Sequence, residues 1–269
     1  MESSAADSST AVAPERIVVK RGGAEVSFAA VNPITAWRAR SIMEKEPGTV
    51  SWIEEFASGE VMIDIGANVG LYALCAARFC DVRVYGFEPE SQNYALLNRN
   101  IHDNGLGDKV TAYCCALSDE TRFDVLYLSQ FMAGGSCHNF GESVGPDMRP
   151  MNAAFRQGCF STTLDELVAR AVVPVPHHIK IDVDGIEHKV IRGAAHTLRD
   201  GKVRSVLVEI NTNLEAHWDV IDTMLDCGFT YSQEEAEQAQ RKEGAFKNVG
   251  NYVFRRPARG TAANNGGKR

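Results

Sequence analysis

Short apolar runs and amphipathic stretches alternate along most of the chain. Near-continuous apolar segments predict strands at 61–65, 82–87, 110–116, 178–183, 204–210, 229–232 and 251–255. Apolar residues at helical spacing predict helices at 68–79, 91–103, 163–171, 187–199 and 214–227. Strands that alternate with helices form a sheet covered on both faces, so we predict a doubly wound α/β fold with a mostly parallel seven-stranded sheet. The segment between the last two strands is polar throughout, which favours an antiparallel final pair.

The region before the first of these strands has a different pattern. RIVVK and AEVSFAAV flank Arg21-Gly22-Gly23 and predict a β-hairpin. Asn32 and Pro33 are typical of a helix start, and we predict a helix that runs to Lys45 and another near 50–57. The predicted organisation is a disordered N-terminus at 1–15, a hairpin and helical appendage at 16–60, a main domain at 61–256, and a disordered tail at 257–269.

Composition and charge narrow the class of protein. A chain of 269 residues with 44% hydrophobic and 23% charged residues suits one globular domain with a sizeable core. The formal charge of −7 argues against nucleic acid or an anionic membrane as the main partner. No apolar run approaches the roughly 18 residues of a membrane span, and the N-terminus lacks the features of a secretory signal. The seven cysteines include no CxxC pair and favour reduced thiols, so we expect a cytoplasmic protein.

The sequence VMIDIGANVGL at 61–71 is the most informative local motif. It places an Asp at a strand end and two glycines, Gly66 and Gly70, in the turn that leads into a helix. A phosphate-binding P-loop needs Lys-Ser or Lys-Thr after the second glycine, where this chain has Leu71-Tyr72. A dinucleotide site needs a glycine where Asn68 stands, which weakens that interpretation. S-adenosylmethionine, which carries an amino-acid end and no phosphate, fits the motif best.

The expected cofactor contacts follow from this motif and from the ends of the next strands. Asp64 is placed to attract the ammonium group of the methionine moiety, directly or through water, while backbone amides of the turn meet its carboxylate. Glu88, at the tip of the second strand, is placed to accept both ribose hydroxyls. Taken singly, these residues could serve only turn, packing or capping roles, but together they favour a ligand site. We predict cofactor binding by Asp64, Gly66, Ala67, Asn68, Gly70, Glu88, Leu117, Ser118 and Asp182, with Leu117 and Ser118 near the adenine.

Six motifs, spread from about Val61 to Arg255, together resemble the FkbM-type methyltransferases: VMIDIGANVGLYAL, GFEPE, ALSDE, STTLDELV, IKIDVDGIEHKVIRGA and VLVEIN. The resemblance implies a Rossmann-like class I fold, S-adenosylmethionine as methyl donor, and cofactor binding by the first motif and by Glu88. It also implies methylation of hydroxyl groups on natural products, sugars or related small molecules. One position departs from the family pattern, which more often reads KIDVEG, because Asp184 is one methylene shorter than that Glu.

Methyl transfer to a hydroxyl needs alignment, exclusion of water and a base for the proton that the hydroxyl loses. The stretch 177–188 offers candidates, and we predict catalytic roles for Asp182, Asp184 and His188. Asp182 ends the fourth strand, where an acid is costly without a partner. His188 also suits a solvent-facing helix position, and Glu187 suits a favourable interaction with the helix dipole.

A metal is an alternative at the same place. Asp182, Asp184, Glu209 and Asn211 would offer an all-oxygen site for Mg²⁺ if they converge. Nothing in the sequence determines that convergence, so Mg²⁺ is a possible cofactor and no metal ligand is assigned.

The segment 129–160 has low regularity and contains glycine, methionine and phenylalanine. Loops of this length in compact domains are often lids or substrate walls. Gly134-Gly135-Ser136 and His138 are the polar points that could face an acceptor.

These observations predict an O-methyltransferase for a small hydroxylated acceptor, with neither nucleic acid nor membrane as a partner. One alternative is an NAD-linked oxidoreductase on the same fold class, which the absent GxGxxG pattern opposes. Another is a protein that binds S-adenosylmethionine without catalysis, which the acids near the fourth strand oppose.

Overall fold

The computed structural model describes residues 14–257. The predicted disordered ends, 1–15 and 257–269, lie outside these residues except for positions 14, 15 and 257. The described strands are β1 Glu15–Arg21, β2 Ala24–Ala30, β3 Val61–Ile65, β4 Arg83–Phe87, β5 Val110–Tyr113, β6 Ala116–Leu117, β7 Arg122–Leu128, β8 Asn139–Phe140, β9 Phe155–Thr162, β10 His178–Ile181, β11 Ser205–Asn211, β12 Thr230–Tyr231 and β13 Val249–Arg255. The helices are α1 Pro33–Lys45, α2 Pro47–Ile53, α3 Leu71–Phe79, α4 Ser91–Asp103, α5 Leu164–Ala169, α6 Glu187–Arg192, α7 Glu215–Asp226 and α8 Gln233–Ala239, with a 3₁₀ helix at Thr197–Arg199.

The main sheet has seven strands in the order β12-β13-β11-β10-β3-β4-β5. The five strands from β11 to β5 run parallel to one another. Strand β13 pairs antiparallel with both β11 and β12. The predicted strand number is confirmed and the sheet is mixed, with the antiparallel final pair that the polar segment before β13 indicated.

Two hydrophobic cores cover the faces of this sheet. Alternate residues of a strand point to opposite faces, so Met62 joins one core while Ile63 joins the other. The hairpin and α2 contribute Phe28 and Trp52 to the first core, which also contains Leu74 of α3. Each such fully buried side chain stabilises the fold by about 1.5–3 kcal/mol. The appendage therefore shares a core with the main domain, and the boundary at 60/61 remains a prediction.

A second sheet of four short strands, in the order β6-β9-β7-β8, lies where the sequence predicts mostly irregular structure. Strand β8 and most of β9 fall within 129–160, so that segment is not a continuous loop. The predicted strand 110–116 is split between the two sheets. Strand β7 pairs with β9 through residues distant in sequence, and Phe123 on its outer face is 84% exposed. Because the burial pattern of β7 does not match its hydrophobic pattern, periodicity does not identify it.

Three helices also differ from the predictions. The helix predicted near 50–57 begins earlier and ends earlier, as α2 at Pro47–Ile53. The predicted helix 187–199 is interrupted after Arg192 and resumes as the 3₁₀ turn. Helix α8 forms in the polar segment before β13, where Ser232 caps its start and Ala236 is its buried residue. Capping supplies the helix start there in place of an apolar stripe.

All seven cysteines lie within the described residues and are free thiols. Within 14–257, no helix has both the length and the apolar character that a membrane crossing requires.

Candidate active site

A cleft opens at the carboxyl ends of β3, β4, β10 and β11, where ligand sites of doubly wound folds lie. Its main cavity has a volume of about 450 Å³, within the range of small-molecule sites. A side cavity of about 50 Å³ lies between α1 and the turn after β3. Arg38, Asn68 and Asp182 are among the residues that line both.

The turn after β3 forms the floor of the cleft. Gly66 has a φ of +79°, and a Cβ there would lie 1.9 Å from the backbone oxygen of Asp182. Asn68 has a φ of +50°, which Asn tolerates better than most residues, and its Nδ2 donates to the Gly135 carbonyl at 2.7 Å. Gly66 and Asn68 line the main cavity. Asn therefore replaces the usual second glycine because it accepts the left-handed turn and also anchors a neighbouring loop.

Three other predicted residues of this motif lie elsewhere. Ala67 lines only the side cavity. Gly70 lines neither cavity; its missing Cβ instead leaves space for Leu97 and Leu74. Asp64 is 1% exposed and lies behind the cavity wall, with Oδ1 3.7 Å from Lys180 Nζ. This buried carboxylate therefore pairs with a buried ammonium group of the protein. The predicted attraction of a ligand ammonium group by Asp64, directly or through water, stays a prediction.

The turn amides are also used within the protein. Those of Gly66 and Ala67 both donate to the Phe87 carbonyl, at 2.9 and 3.0 Å. The Asn68 amide donates to the Glu88 carboxylate at 2.7 Å. The Val69 amide donates to Asn68 Oδ1 at 3.0 Å, and the Gly70 amide donates to the Ala67 carbonyl at 2.8 Å. These amides are therefore satisfied within the protein, and their contact with a ligand carboxylate stays a prediction.

Glu88 lines the main cavity at the end of β4 and is only 5% exposed. It accepts hydrogen bonds from the amides of Asn68 and Glu90, the latter at 2.9 Å. Burial raises the pKa of Glu88 to about 7 despite these donors. Leu117 lines the same cavity, whereas Ser118 lies behind it and donates from Oγ to Asp119 at 3.1 Å.

Three carboxylates converge at the ends of β10 and β11. Asp182, Asp184 and Glu209 line the main cavity, and one oxygen from each lies within 4.8 Å of the others. Burial and then the charge of Asp182 raise the pKa of Asp184 to about 7. The same two causes raise the pKa of Glu209 well above its usual value. Burial opposes ionisation of Asp182 too, but Lys180, Lys45 and Arg38 together outweigh it and lower the pKa of Asp182. The trio therefore combines one stable carboxylate with two groups that hold protons readily.

Lys180 is a residue that the sequence analysis missed. It is 2% exposed in β10, and its Nζ lies 3.1 Å from Asp182 Oδ2. Burial alone would lower its pKa, but Asp182 and Asp64 outweigh that effect and raise the pKa. A lysine inside the apolar strand HIKI was the available signal, because a buried charge needs a partner.

A strained turn holds Asp184 in place. Asp184 has a φ of +60°, and its Oδ2 accepts from the Cys137 amide at 2.7 Å. Glu187 closes the turn by accepting from the amides of Val183 and Gly185, at 2.9 and 3.0 Å. The Glu187 carboxylate is also 3.2 Å from His217 Nε2. Glu187 therefore orients the turn, in addition to its position in the first turn of α6.

Two candidate residues do not reach the cleft. His188 lies on α6 with its ring centroid 6.4 Å from that of His217, and it lines neither cavity. Asn211 donates to the Pro146 carbonyl at 3.4 Å and accepts from Asn213. Each side chain is directed at neighbouring loops or helices, so the structure does not bring either one to the cleft. The catalytic role of His188 and the place of Asn211 in an oxygen cluster stay predictions.

The appendage and the loop before β8 complete the walls. Trp37, Arg38, Lys45 and Glu46 of the α1 region line the main cavity. Across from them lie Gly135, Ser136 and His138, so part of 129–160 does form a cavity wall. The His138 ring accepts the Ser129 amide at Nδ1, and burial lowers its pKa to about 4. His138 is therefore neutral at pH 7 and supplies no positive charge.

Comparison with known proteins identifies the family. The model of the methyltransferase FkbM domain matches residues 64–231. The hexuronic acid methyltransferase AglP of Haloferax volcanii is 26% identical over 180 residues, which are 66% of this chain and 67% of that protein. An FkbM methyltransferase from Methylobacillus flagellatus KT has a TM-score of 0.48 and 17% identity, over 75% of this chain and 44% of its own. Magnesium protoporphyrin IX methyltransferase from Synechocystis, with bound S-adenosylmethionine, has a TM-score of 0.47 and 12% identity, over 85% and 86%.

The family match covers more than half of the chain and begins at Asp64. Within the matched residues lie both parts of the cleft, the turn after β3 and the acids that follow β10. The chain belongs to the FkbM family of S-adenosylmethionine-dependent methyltransferases.

Proposed function

We propose that this protein methylates a hydroxyl group of a sugar or a related small hydroxylated molecule, with Asp184 as the base. The observation that carries the proposal is the position of Asp184 in the cavity with a pKa raised to about 7. A base with a pKa near the working pH combines an adequate deprotonated fraction with adequate proton affinity.

The cleft suits S-adenosylmethionine, which supplies an electrophilic methyl group on a positively charged sulfur when bound. Glu88 would accept the ribose hydroxyls, since it is buried, lines the cavity and retains unused acceptor capacity. Phe87, Pro89 and Leu117 would enclose the adenine with apolar surface. Asp182 would meet the ammonium group, because it lines both cavities and keeps its negative charge.

The acceptor would lie beyond Asp182, against the aromatic part of the main cavity. Trp37, Phe140 and Phe246 line the main cavity and offer flat apolar surfaces to a ring. Asp184 would take the proton that the acceptor hydroxyl loses, and Glu187 would keep Asp184 in position. The name of the relative AglP, a hexuronic acid methyltransferase, supports a sugar-derived acceptor.

The test is transfer of a radiolabelled methyl group from S-adenosylmethionine to a panel of neutral sugars and hexuronic acids. We expect a labelled product that survives mild alkali, because a methyl ether is stable there and a methyl ester is hydrolysed. Asp184→Asn should lower kcat by about 100-fold or more, within the range for loss of a general base. Asp226→Asn, at an exposed acid of α7, is the matched control and should leave kcat unchanged.

Because three carboxylates converge in the cleft, the assay is repeated with EDTA to test for a bound metal ion. We expect the rate to be unchanged, since Asp184 alone accounts for the proton. A loss of rate that Mg²⁺ restores would replace the base mechanism with metal activation of the hydroxyl. Label that alkali releases would instead indicate transfer to a carboxyl group and refute the hydroxyl assignment.

A further inference from the structure

The amino-acid end of S-adenosylmethionine carries a carboxylate that needs a partner within the cleft. The turn amides of residues 66–70, which commonly bind anions in such motifs, all donate within the protein. A carboxylate that enters a largely buried site without hydrogen bonds pays a heavy desolvation cost. A cationic side chain on the cleft wall is the strongest partner that could take their place.

Three of the four cations along the two cavities already have carboxylate partners. Lys180 pairs with Asp182 at 3.1 Å, and Lys45 pairs with Glu46 at 2.8 Å. Arg241 lies 3.4 Å from Glu209 and 3.8 Å from Glu46. Each of these three cations therefore has an acidic side chain within ion-pair distance.

Arg38 is the exception among the described residues. Its hydrogen bond is from Nε to the Gly134 carbonyl at 2.8 Å, and no described carboxylate lies within ion-pair distance. This bond fixes the guanidinium group and leaves both terminal nitrogens as free donors. Arg38 lines the main cavity and the side cavity, next to Gly66 and Asp182. Its charge also lowers the pKa of Asp182, against the larger effect of burial.

We infer that Arg38 binds the α-carboxylate of S-adenosylmethionine through its terminal nitrogens, while Asp182 meets the adjacent ammonium group. The two charges of the amino-acid end would then face opposite charges on α1 and β10. Gly134 holds the guanidinium group from the loop before β8, so the appendage and that loop complete the cofactor site together. The inference rests on the proposed function only in that the cleft binds this cofactor, and it is independent of the acceptor.

Calorimetric binding of two nucleosides to the full chain tests this assignment without turnover. S-adenosylhomocysteine carries the amino-acid end, and 5′-methylthioadenosine lacks it but keeps the adenine, ribose and sulfur. Arg38→Ala should weaken the binding of S-adenosylhomocysteine by about 10- to 100-fold, the range for loss of a hydrogen bond to a charged group. The same substitution should change the affinity for 5′-methylthioadenosine by less than about 2-fold. Arg38→Lys should restore part of the lost affinity, because it keeps the positive charge.

Arg40→Ala is the matched control, because Arg40 is exposed on the same helix and pairs with Glu15. It should leave both affinities unchanged. An equal loss for both nucleosides in Arg38→Ala would overturn the assignment and indicate that Arg38 only anchors Gly134. Unchanged affinity for S-adenosylhomocysteine would overturn it as well. A failure to find a hydroxylated acceptor would contradict the proposed function and leave these affinities as they are.

Discussion

Gly66 is the position where a single methyl group should disturb this site most. In Gly66→Ala, the Cβ would lie 1.9 Å from the backbone oxygen of Asp182 and 3.0 Å from its carbonyl carbon. Neither atom can move freely, because Asp182 directly follows the central strand β10 and its amide donates to the Ile65 carbonyl at 3.1 Å. The left-handed backbone adds about 1–2 kcal/mol for an L-residue. The overlap adds about 1–3 kcal/mol more, as overpacking of a rigid core does.

We therefore expect Gly66→Ala to lower the free energy of unfolding by about 2–5 kcal/mol. Two glycines of the same chain separate the contributions. Gly59 has a similar φ of +81° with nothing within 4 Å of its Cβ position, so Gly59→Ala should cost about 1–2 kcal/mol. Gly193 has an ordinary φ of −71° but a Cβ position 2.0 Å from the Ser118 oxygen, so Gly193→Ala should cost about 1–3 kcal/mol.

Urea denaturation of the four proteins at one pH measures these differences, provided that the m-values agree. Any gain from restricting the unfolded chain is common to all three substitutions and cancels in the comparison. If Gly66→Ala costs no more than Gly59→Ala, the close approach between the turn and β10 is not a real constraint. The reasoning about the floor of the cleft would then be refuted.

Three further predictions concern the acids of the cleft. Glu187→Gln should lower kcat by about 10-fold, as expected when about 1.4 kcal/mol of positioning is lost, with nucleoside affinity in calorimetry unchanged. Folding raises the pKa of Asp184 from 3.8 to about 7, so this group destabilises the fold increasingly as pH rises through that range. Asp184→Asn should therefore raise the urea midpoint at pH 8 and not at pH 4. Glu88→Gln should weaken the binding of S-adenosylhomocysteine and of 5′-methylthioadenosine equally, by about 10-fold, since both nucleosides keep the ribose.

Each of these has a contrary outcome. Glu215 occupies the same first-turn position on α7 and is exposed, so Glu215→Gln should leave kcat unchanged. An equal effect of Glu187→Gln and Glu215→Gln would reduce Glu187 to a helix-dipole role. A urea midpoint of Asp184→Asn that follows the wild type at every pH would mean that Asp184 has an ordinary pKa. If Glu88→Gln weakens the binding of S-adenosylhomocysteine more than that of 5′-methylthioadenosine, Glu88 contacts the amino-acid end instead of the ribose.

The elements that the sequence predicted well are those set by neighbouring residues. Helix α4 has the predicted bounds, Ser91–Asp103, because its apolar residues recur at helical spacing. Asn32 caps α1 as predicted, and its side chain accepts from the Thr35 amide. Strand β3 and the glycine turn after it likewise depend on a short stretch of sequence.

The second sheet was missed for the opposite reason. Strands β7 and β9 are held by pairing between residues such as Phe123 and Phe160, which are far apart in the chain. One face of this strand pair is open to solvent, and some of the residues on that face are apolar. The hydrophobic pattern of these strands therefore does not match the pattern of buried positions. Pairing partners of this kind are decided when the chain folds, and no local period reports them.

The sequence by itself determined the family, through motifs that occur in a fixed order along the chain. It also determined that acidic residues lie at the ends of β4 and β10. Both results depend on motif spacing and periodicity, which involve residues that are close in sequence. Only the tertiary structure decided what each charge does. It buried Asp64 against Lys180, raised the pKa of Asp184 through burial and the charge of Asp182, and brought Arg38 from the appendage to the cleft. Burial and distances through space set charge pairing and proton affinity, and both arise when distant segments pack together.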